Sequence, residues 1–462
     1  MQRLKQDENS RLSLLNIERA EPFGNNKSLN WQVLSTITRK AHMNFFHLSD
    51  LHIGLKLMNR DMREDQEYIL KQIAELAAEK QPDAIVIAGD IYDKPVPSAE
   101  AVAVFDRFIS LLNEAAPRAE IMIISGNHDS GTRVNLYRSV LQRQRIHMIG
   151  MPPQTPEEYI EKVTLQDEFG RVNFYLLPFV KPSMLKAVLG AEDNGNSLSY
   201  DEALRRLLQR ETIATSERNV LVSHQFYLPA GTDPDKVERM DSEIVAVGNV
   251  DEVKADVLQP FDYAALGHIH KPMRVGSDVF RYCGTPLACS VSEAGQQKGI
   301  ILVELKEKGN ITTEDLPLVP LRKVRKIKGA LADVLAQGCG DFVSVELTEQ
   351  TDADAINLQD RLRDVFPNLL EIRRSALRAP DYSAQPVLDK ELDAFALCNA
   401  FLKDLDEEEQ EILREAVNAA QSAGDTESVT EAMTTTAAKK QKGSVKKAGG
   451  EDSETKDGEG QA

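Results

Sequence analysis

From Met43 to about residue 310, short apolar runs alternate with amphipathic stretches. The runs are NFFHLS, AIVIAG (Ala84 to Gly89), IMIISG (Ile121 to Gly126), VNFYLLP, NVLVSH (Asn219 to His224), YAALGH and GIILVEL. Each has the length of a buried strand. Between several of them, as at Asp61 to Lys80 and Ser98 to Glu114, apolar residues recur at intervals of three and four, which is the spacing of one helix face. The alternation predicts an α/β fold built in layers around a central sheet.

The pattern then restarts. Over about 318 to 380, RKVRKIKG, ALADVLAQ, DFVSVELTE, INLQDRLRDVF and LLEIRRSA read as strand, helix, strand, helix, strand, a small α+β module of its own. Residues 386 to 421 carry no strand signal. Phe395, Leu397, Phe401, Leu402 and Leu405, then Ile412, Leu413, Ala416, Val417 and Ala420, form apolar stripes on two helices, with Asp406 placed to cap the second. Such a pair either folds back on its own chain or docks on a partner. The polar stretch 1 to 42 reads as a disordered leader or the product of an upstream start codon. Residues 423 to 462, rich in Gly, Ser, Thr, Lys and Glu, read as a disordered tail. No internal repeat is present.

Composition narrows the class. A chain of 462 residues with 42% hydrophobic residues suggests two or three domains with real cores. Cys283, Cys289, Cys339 and Cys398 have neither zinc-ribbon spacing nor the density of a disulfide-stapled fold, so they read as thiols of a reducing compartment. No apolar run has the length needed to cross a bilayer and no signal peptide is evident, so a cytoplasmic protein without a membrane partner is expected. The net charge of −18 argues, taken alone, against a partner as acidic as DNA.

The chemistry lies behind the apolar runs. NFFHLS is followed by Asp50 and His52, AIVIAG by Asp90, IMIISG by Asn127, His128 and Asp129, NVLVS by His224, and YAALG by His268 and His270. Five strands thus end in metal-capable or acid/base side chains, and such ends converge on one crevice in an α/β sheet. Carboxylate, amide oxygen and imidazole without thiolate suit manganese, iron or zinc. The set is too large for one ion, whereas two ions sharing a carboxylate fit it and would serve attack on phosphorus. His42, His47 and His147 read as structural or incidental.

The motifs DLH, GDIYD, GNHD, the isolated SH and GHIH, in this order over Met43 to Leu305, resemble the five signatures of the calcineurin-like metallophosphoesterases. The variants LSDLHIG, AGDIYD and SGNHD, followed by YCGTPL and a small βαβαβ module, resemble the nuclease subunits of bacterial SbcCD-type complexes within that family. The resemblance implies a two-sheet sandwich flanked by helices, with residues 43–310 as the nuclease domain, 318–380 as a DNA-touching capping domain and 386–421 as helices that grip an SbcC-type coiled-coil ATPase. It implies a metal-dependent DNA nuclease, cutting duplex ends as an exonuclease and single strands and hairpins as an endonuclease, in DNA recombination, replication and repair. The alternative substrate is a small phosphodiester or nucleotide.

Carried over by position, the resemblance gives one metal to Asp50, His52, Asp90 and His270, and the other to Asp90, Asn127, His224 and His268. The metals are Mn²⁺ by analogy. His128 would act on the transition state or the leaving oxygen, Asp129 would orient His128, and Asp93 would either support the metal shell or cap its loop. Two nuclease and two ATPase subunits are implied. For DNA, Arg322, Lys323, Arg325, Lys326 and Lys328 offer either phosphate contacts or a solvated face.

Overall fold

The computed structural model describes residues 42–190, 198–229, 231–232, 237, 239–243, 251–348, 355–374, 395, 398–399, 402 and 406–422. The expected leader, short of residue 42, and the tail from 423 lie outside the described residues, as do most of 386–405.

Two six-stranded sheets face each other. The first runs, edge to edge, Ile311–Pro317, Gly299–Leu305, Met43–Leu48, Ala84–Ala88, Glu120–Ile124, Ile146–Ile149. The second runs Met273–Arg274, Phe280–Tyr282, Tyr263–Gly267, Arg218–His224, Gly170–Leu177, Glu161–Asp167. In the first sheet, the 43–48, 84–88, 120–124 and 146–149 strands are mutually parallel. So are the central strands of the second, 170–177, 218–224 and 263–267.

Strand alternation explains the unbroken apolar runs. Phe45, Val86, Met122 and Ile124 turn towards the other sheet and meet Phe174, Val220, Val222 and Tyr263 in one cluster. Phe45 packs edge-on to Phe174 and Tyr263, with ring centroids 5.3 and 5.6 Å away. The alternate residues Phe46, Leu48, Ile85 and Ile87 point outwards, where helices Arg63–Lys80 and Ala99–Ala115 cover them. Helix Tyr200–Gln209 covers the outer face of the second sheet through Ala203, Leu204, Leu207 and Leu208. The single central sheet expected from spacing is therefore two sheets, as the family resemblance implied. Periodicity shows that a strand is buried on both faces but not which sheet it joins. Some edge strands left no apolar signal: Glu161–Asp167 alternates buried and exposed positions, and Ile311–Pro317 is mostly polar.

The expected strand–helix order of the small module is found at Val324–Gly329, Leu331–Leu335, Phe342–Leu347, Ala355–Val365 and Leu369–Arg374, its three strands parallel. It has its own core around Val343, Val345, Leu362 and Phe366. Val324 and Phe342, however, belong to the cluster that also buries the 63–80 helix.

Helix Glu407–Ser422 begins at a reciprocal cap. The Asp406 carboxylate accepts from the Glu409 N–H at 2.8 Å, and the Glu409 carboxylate accepts from the Asp406 N–H at 3.0 Å. The helix lies against the Pro182–Leu185 turn. No helix among the described residues is long and apolar enough to cross a membrane.

Candidate metal centre

The C-terminal ends of the 43–48, 84–88, 120–124, 218–224 and 263–267 strands open on one crevice edge, and the loops there are stitched together. The Asp50 N–H donates to the Gly89 carbonyl, and the His52 N–H to the Asp90 carbonyl, both at 3.0 Å. Two glycines are required by close approach. A Cβ on Gly126 would collide with the Asp90 carboxylate, and one on Gly267 with the Ala88 carbonyl and the His224 ring. The glycines before Asn127 and His268 thus let the polar residues crowd together.

The crowding is strained. Among the described residues nine non-glycine positions have positive φ, and Asp50 (53°), His52 (43°), Asp90 (50°) and His268 (101°) are four of them. Left-handed backbone at non-glycine residues is costly and collects where a site must be held in shape.

All seven expected metal ligands come together. Asp50, His52 and His270 bring one donor atom each within 4.8 Å of one another, as do Asp50, Asp90 and His224. Asp90 stands between the groups, its Oδ2 3.6 Å from His52 Nε2 and 3.3 Å from His224 Nε2. The Asn127 amide oxygen lies 2.9 Å from both His224 Nε2 and His268 Nδ1. His52 Nε2 and His270 Nε2 face each other at 3.1 Å, a spacing at which two lone pairs require a proton or a cation between them. Six of the seven side chains are buried, and the donor set contains no thiolate. Oxygen and imidazole donors in this density fit divalent ions of the manganese, iron and zinc type.

The charges answer one another. Burial works against ionisation of Asp90, but His224 and His128 hold its carboxyl well below the ordinary value. Burial likewise opposes a charged His224, yet Asp90 raises it to about 9. Burial lowers His52 and His268 and raises Asp50.

His128 stands beside this group, half-buried, with Nε2 4.0 Å from Asp90 Oδ2. Its backbone N–H donates to Asp90 Oδ1 at 2.9 Å. Its Nδ1 is 3.0 Å from the Asp93 carbonyl oxygen. The expectation that Asp129 orients His128 is therefore corrected. The Asp129 carboxylate is occupied by the backbone N–H groups of Ile91, Tyr92 and Gly126, at 3.0, 3.0 and 2.9 Å, and clamps two loops. Burial and the Asp90 charge raise Asp129 to about 6 despite those donors. Asp93 lies near both the histidine cluster and the loop. Its carboxylate is 4.0 Å from His52 Nδ1, and its backbone joins the loop to Ile53 and His128.

Of the basic run expected to meet either phosphate or solvent, three residues are engaged in ion pairs. Arg322 does not face solvent freely: it pairs with the buried Asp65 carboxylate and with Glu64 at 2.7 Å, tying the small module to the 63–80 helix. Arg325 lies 3.7 Å from Asp341, and Lys328 is bonded to Glu346 at 2.6 Å. Lys323 and Lys326 are exposed. A basic run in a strand shows its charge in the sequence, whereas its acidic partners come from other elements.

Sequence reasoning missed the groups behind the two histidines of GHIH. Arg239 Nη2 lies 2.9 Å from His268 Nε2, and the Glu243 carboxylate accepts from the His270 N–H at 2.9 Å. Glu293 lies 3.4 Å from His270 Nδ1. Arg239 and Glu293 adjoin no apolar run and Glu243 precedes one (IVAV, 244 to 247) rather than following it, so no strand-end signal marked them.

A calcineurin-like phosphoesterase family model matches residues 43–272. Residues 43–272 therefore form a calcineurin-like phosphoesterase domain. As a calcineurin-like phosphoesterase it is a hydrolase acting on phosphodiester bonds, and its His/Asp cluster is a divalent-metal site. Among curated relatives it is similar to an SbcCD nuclease subunit of Staphylococcus epidermidis, with 27% identity over 337 residues covering 71% of this chain and 85% of the relative. Solved structures similar to this phosphoesterase include a dimetal phosphatase from Danio rerio, at 13% identity and a TM-score of 0.35, covering 62% of this chain and 100% of that one. Another is the TT1561 protein of Thermus thermophilus, at 11% identity and a TM-score of 0.32, covering 59% of this chain and 99% of that one.

Proposed function

We propose that this phosphoesterase is a DNA nuclease that works with an SbcC-type ATPase in DNA recombination, replication and repair. The observation that carries the reading is the convergence of Asp50, His52, Asp90, Asn127, His224, His268 and His270 around one central carboxylate, with His128 beside it. The likeness to an SbcCD nuclease subunit supports the choice of substrate.

In this reading Asp50, His52, Asp90 and His270 hold one ion, and Asp90, Asn127, His224 and His268 hold the other. Bound divalent ions, Mn²⁺ in our assignment, neutralise charge at the scissile phosphate and acidify the attacking water. His128 supplies what the ligands cannot. The Asp93 carbonyl takes its Nδ1–H, which turns Nε2 to the centre, and in the doubly protonated ring that Nε2–H would stabilise the transition state or pass its proton to the leaving oxygen. Lys323 and Lys326 remain as phosphate contacts of the small module, and unaided DNA binding is weak and salt-sensitive. Two nuclease subunits act with two ATPases, which the C-terminal helices engage.

The pairing of Arg322, Arg325 and Lys328 with acids thins the basic surface and favours one second reading, a small phosphodiester substrate. One assay separates the two. Linear and hairpin DNA are incubated with the protein in Mn²⁺, with and without the ATPase and ATP, and His128→Gln is the control. Cleavage accelerated by the ATPase and abolished in the variant is the expected result. Intact DNA in every condition, with hydrolysis of an aryl phosphodiester, would transfer the activity to small substrates.

A further inference from the structure

We infer that Glu293, acting through Ser242, is a positioning residue that fixes which ring nitrogen of His270 is offered to the metal. The inference rests on the metal reading above and adds residues that carry no strand-end signal.

Proton bookkeeping leads to it. The Ser242 hydroxyl lies 2.7 Å from Glu293 Oε1 and 2.7 Å from His270 Nδ1. A serine hydroxyl has one proton to give. Glu293 is a carboxylate that also accepts from Thr285 Oγ1 at 3.0 Å, Ser290 Oγ at 3.1 Å and Lys298 Nζ at 2.6 Å, so the Ser242 proton goes to it. Ser242 must then accept from His270, which places the ring proton on Nδ1. The direct contact of Nδ1 with Glu293 Oε1, at 3.4 Å, has the same polarity. The Nε2 lone pair is left facing His52 Nε2 and, 4.0 Å away, Asp50 Oδ1.

Lys298 makes the arrangement rigid. Its ammonium donates to the His270 carbonyl oxygen at 3.0 Å as well as to Glu293, so one cation holds both the carboxylate and the ligand's backbone. Glu293 is 1% exposed and Lys298 7%, which removes water as a competing partner. A ligating histidine held from behind by a carboxylate gains a fixed tautomer and ring orientation, and loss of such a partner weakens metal binding roughly 10–100-fold.

The test compares wild type, Glu293→Gln and Ser242→Ala in the full chain, using calorimetric titration with Mn²⁺ and ¹⁵N shifts of the histidine rings in metal-free protein. Wild type takes up two ions with His270 as the Nδ1–H form. In the variants one of the two affinities falls by about 10-fold or more and the His270 signals move towards a mixture of tautomers. The inference is overturned if both variants keep both affinities and the wild-type ring signals. If Glu293→Gln cannot fold around an uncompensated Lys298, Ser242→Ala decides, because it leaves that ion pair intact. Absence of Mn²⁺ uptake by wild type would sink the metal reading alone, since the ring signals still report on Glu293.

Discussion

His128 Nδ1 lies 3.0 Å from the carbonyl oxygen of Asp93, while the adjacent Asp129 carboxylate turns to three backbone N–H groups. A main-chain oxygen therefore aims the ring, and the acid beside it shapes the loop. With His128 outside the ligand set, as proposed, His128→Gln should lower phosphodiester cleavage by about 10²–10⁴-fold with the metal content unchanged. Metal analysis of the purified variant beside its rate checks this. Loss of metal together with activity would make His128 a ligand.

Asp129 should behave as a fold residue. Asp129→Ala leaves three N–H groups without their acceptor and should cost roughly 3 kcal/mol or more. Asp129→Asn, which keeps an amide oxygen, should cost less. Chemical denaturation measures both, and the pH–rate profile should keep its shape in whichever variant folds. A shifted profile with normal stability would return Asp129 to the catalytic role expected from its place in GNHD.

Arg322 and the two lysines near it should separate cleanly. Arg322→Ala strands the buried Asp65 carboxylate and should destabilise the protein by about 3 kcal/mol. Lys323→Ala with Lys326→Ala should leave the melting temperature unchanged and reduce the salt slope of DNA binding by about one per lost phosphate contact. An unchanged slope would remove this strand from the DNA path.

His47 gives a pH prediction. Burial, with lesser contributions from neighbours, pushes its imidazole down to about 3 from the ordinary value of 6.5. The folded protein keeps this ring neutral where the unfolded chain takes up a proton, so its contribution is fully present above about 6.5 and declines as pH falls towards 3. By pH 5 the loss is about 2 kcal/mol, at about 1.4 kcal/mol per pH unit. His47→Gln should flatten the fall in melting temperature between pH 6.5 and 5 relative to wild type, whatever it costs at neutral pH. Parallel curves would assign the acid sensitivity elsewhere.

The contrast between Asp90 and Glu293 indicates what a sequence can disclose. Asp90 follows an apolar strand and a glycine, so topology alone sends it to the sheet edge with Asp50, Asn127 and His224. The resemblance then orders these residues into ligand sets. Glu293 lies in a 3₁₀ turn among small polar residues, and only the packing of Ser242, Thr285 and Lys298 around it gives it meaning. Asp129 shows the opposite failure, because its place in the motif was informative but its partners were not. The inner strands were legible for the reason Asp90 was, and polar edge strands such as 161–167 were not.

The shared cluster of Val324 and Phe342 with the 63–80 helix bears on how this chain can be divided. Residues 318 to 374 look transferable in the linear sequence, as a cassette that a designer could delete or replace with a cousin's. In the folded chain, excision would uncover apolar surface on the helix and strand Asp65 together. A viable chimera must therefore carry the helix face along with the module, and drift on one side of this seam should be matched by compensating change on the other.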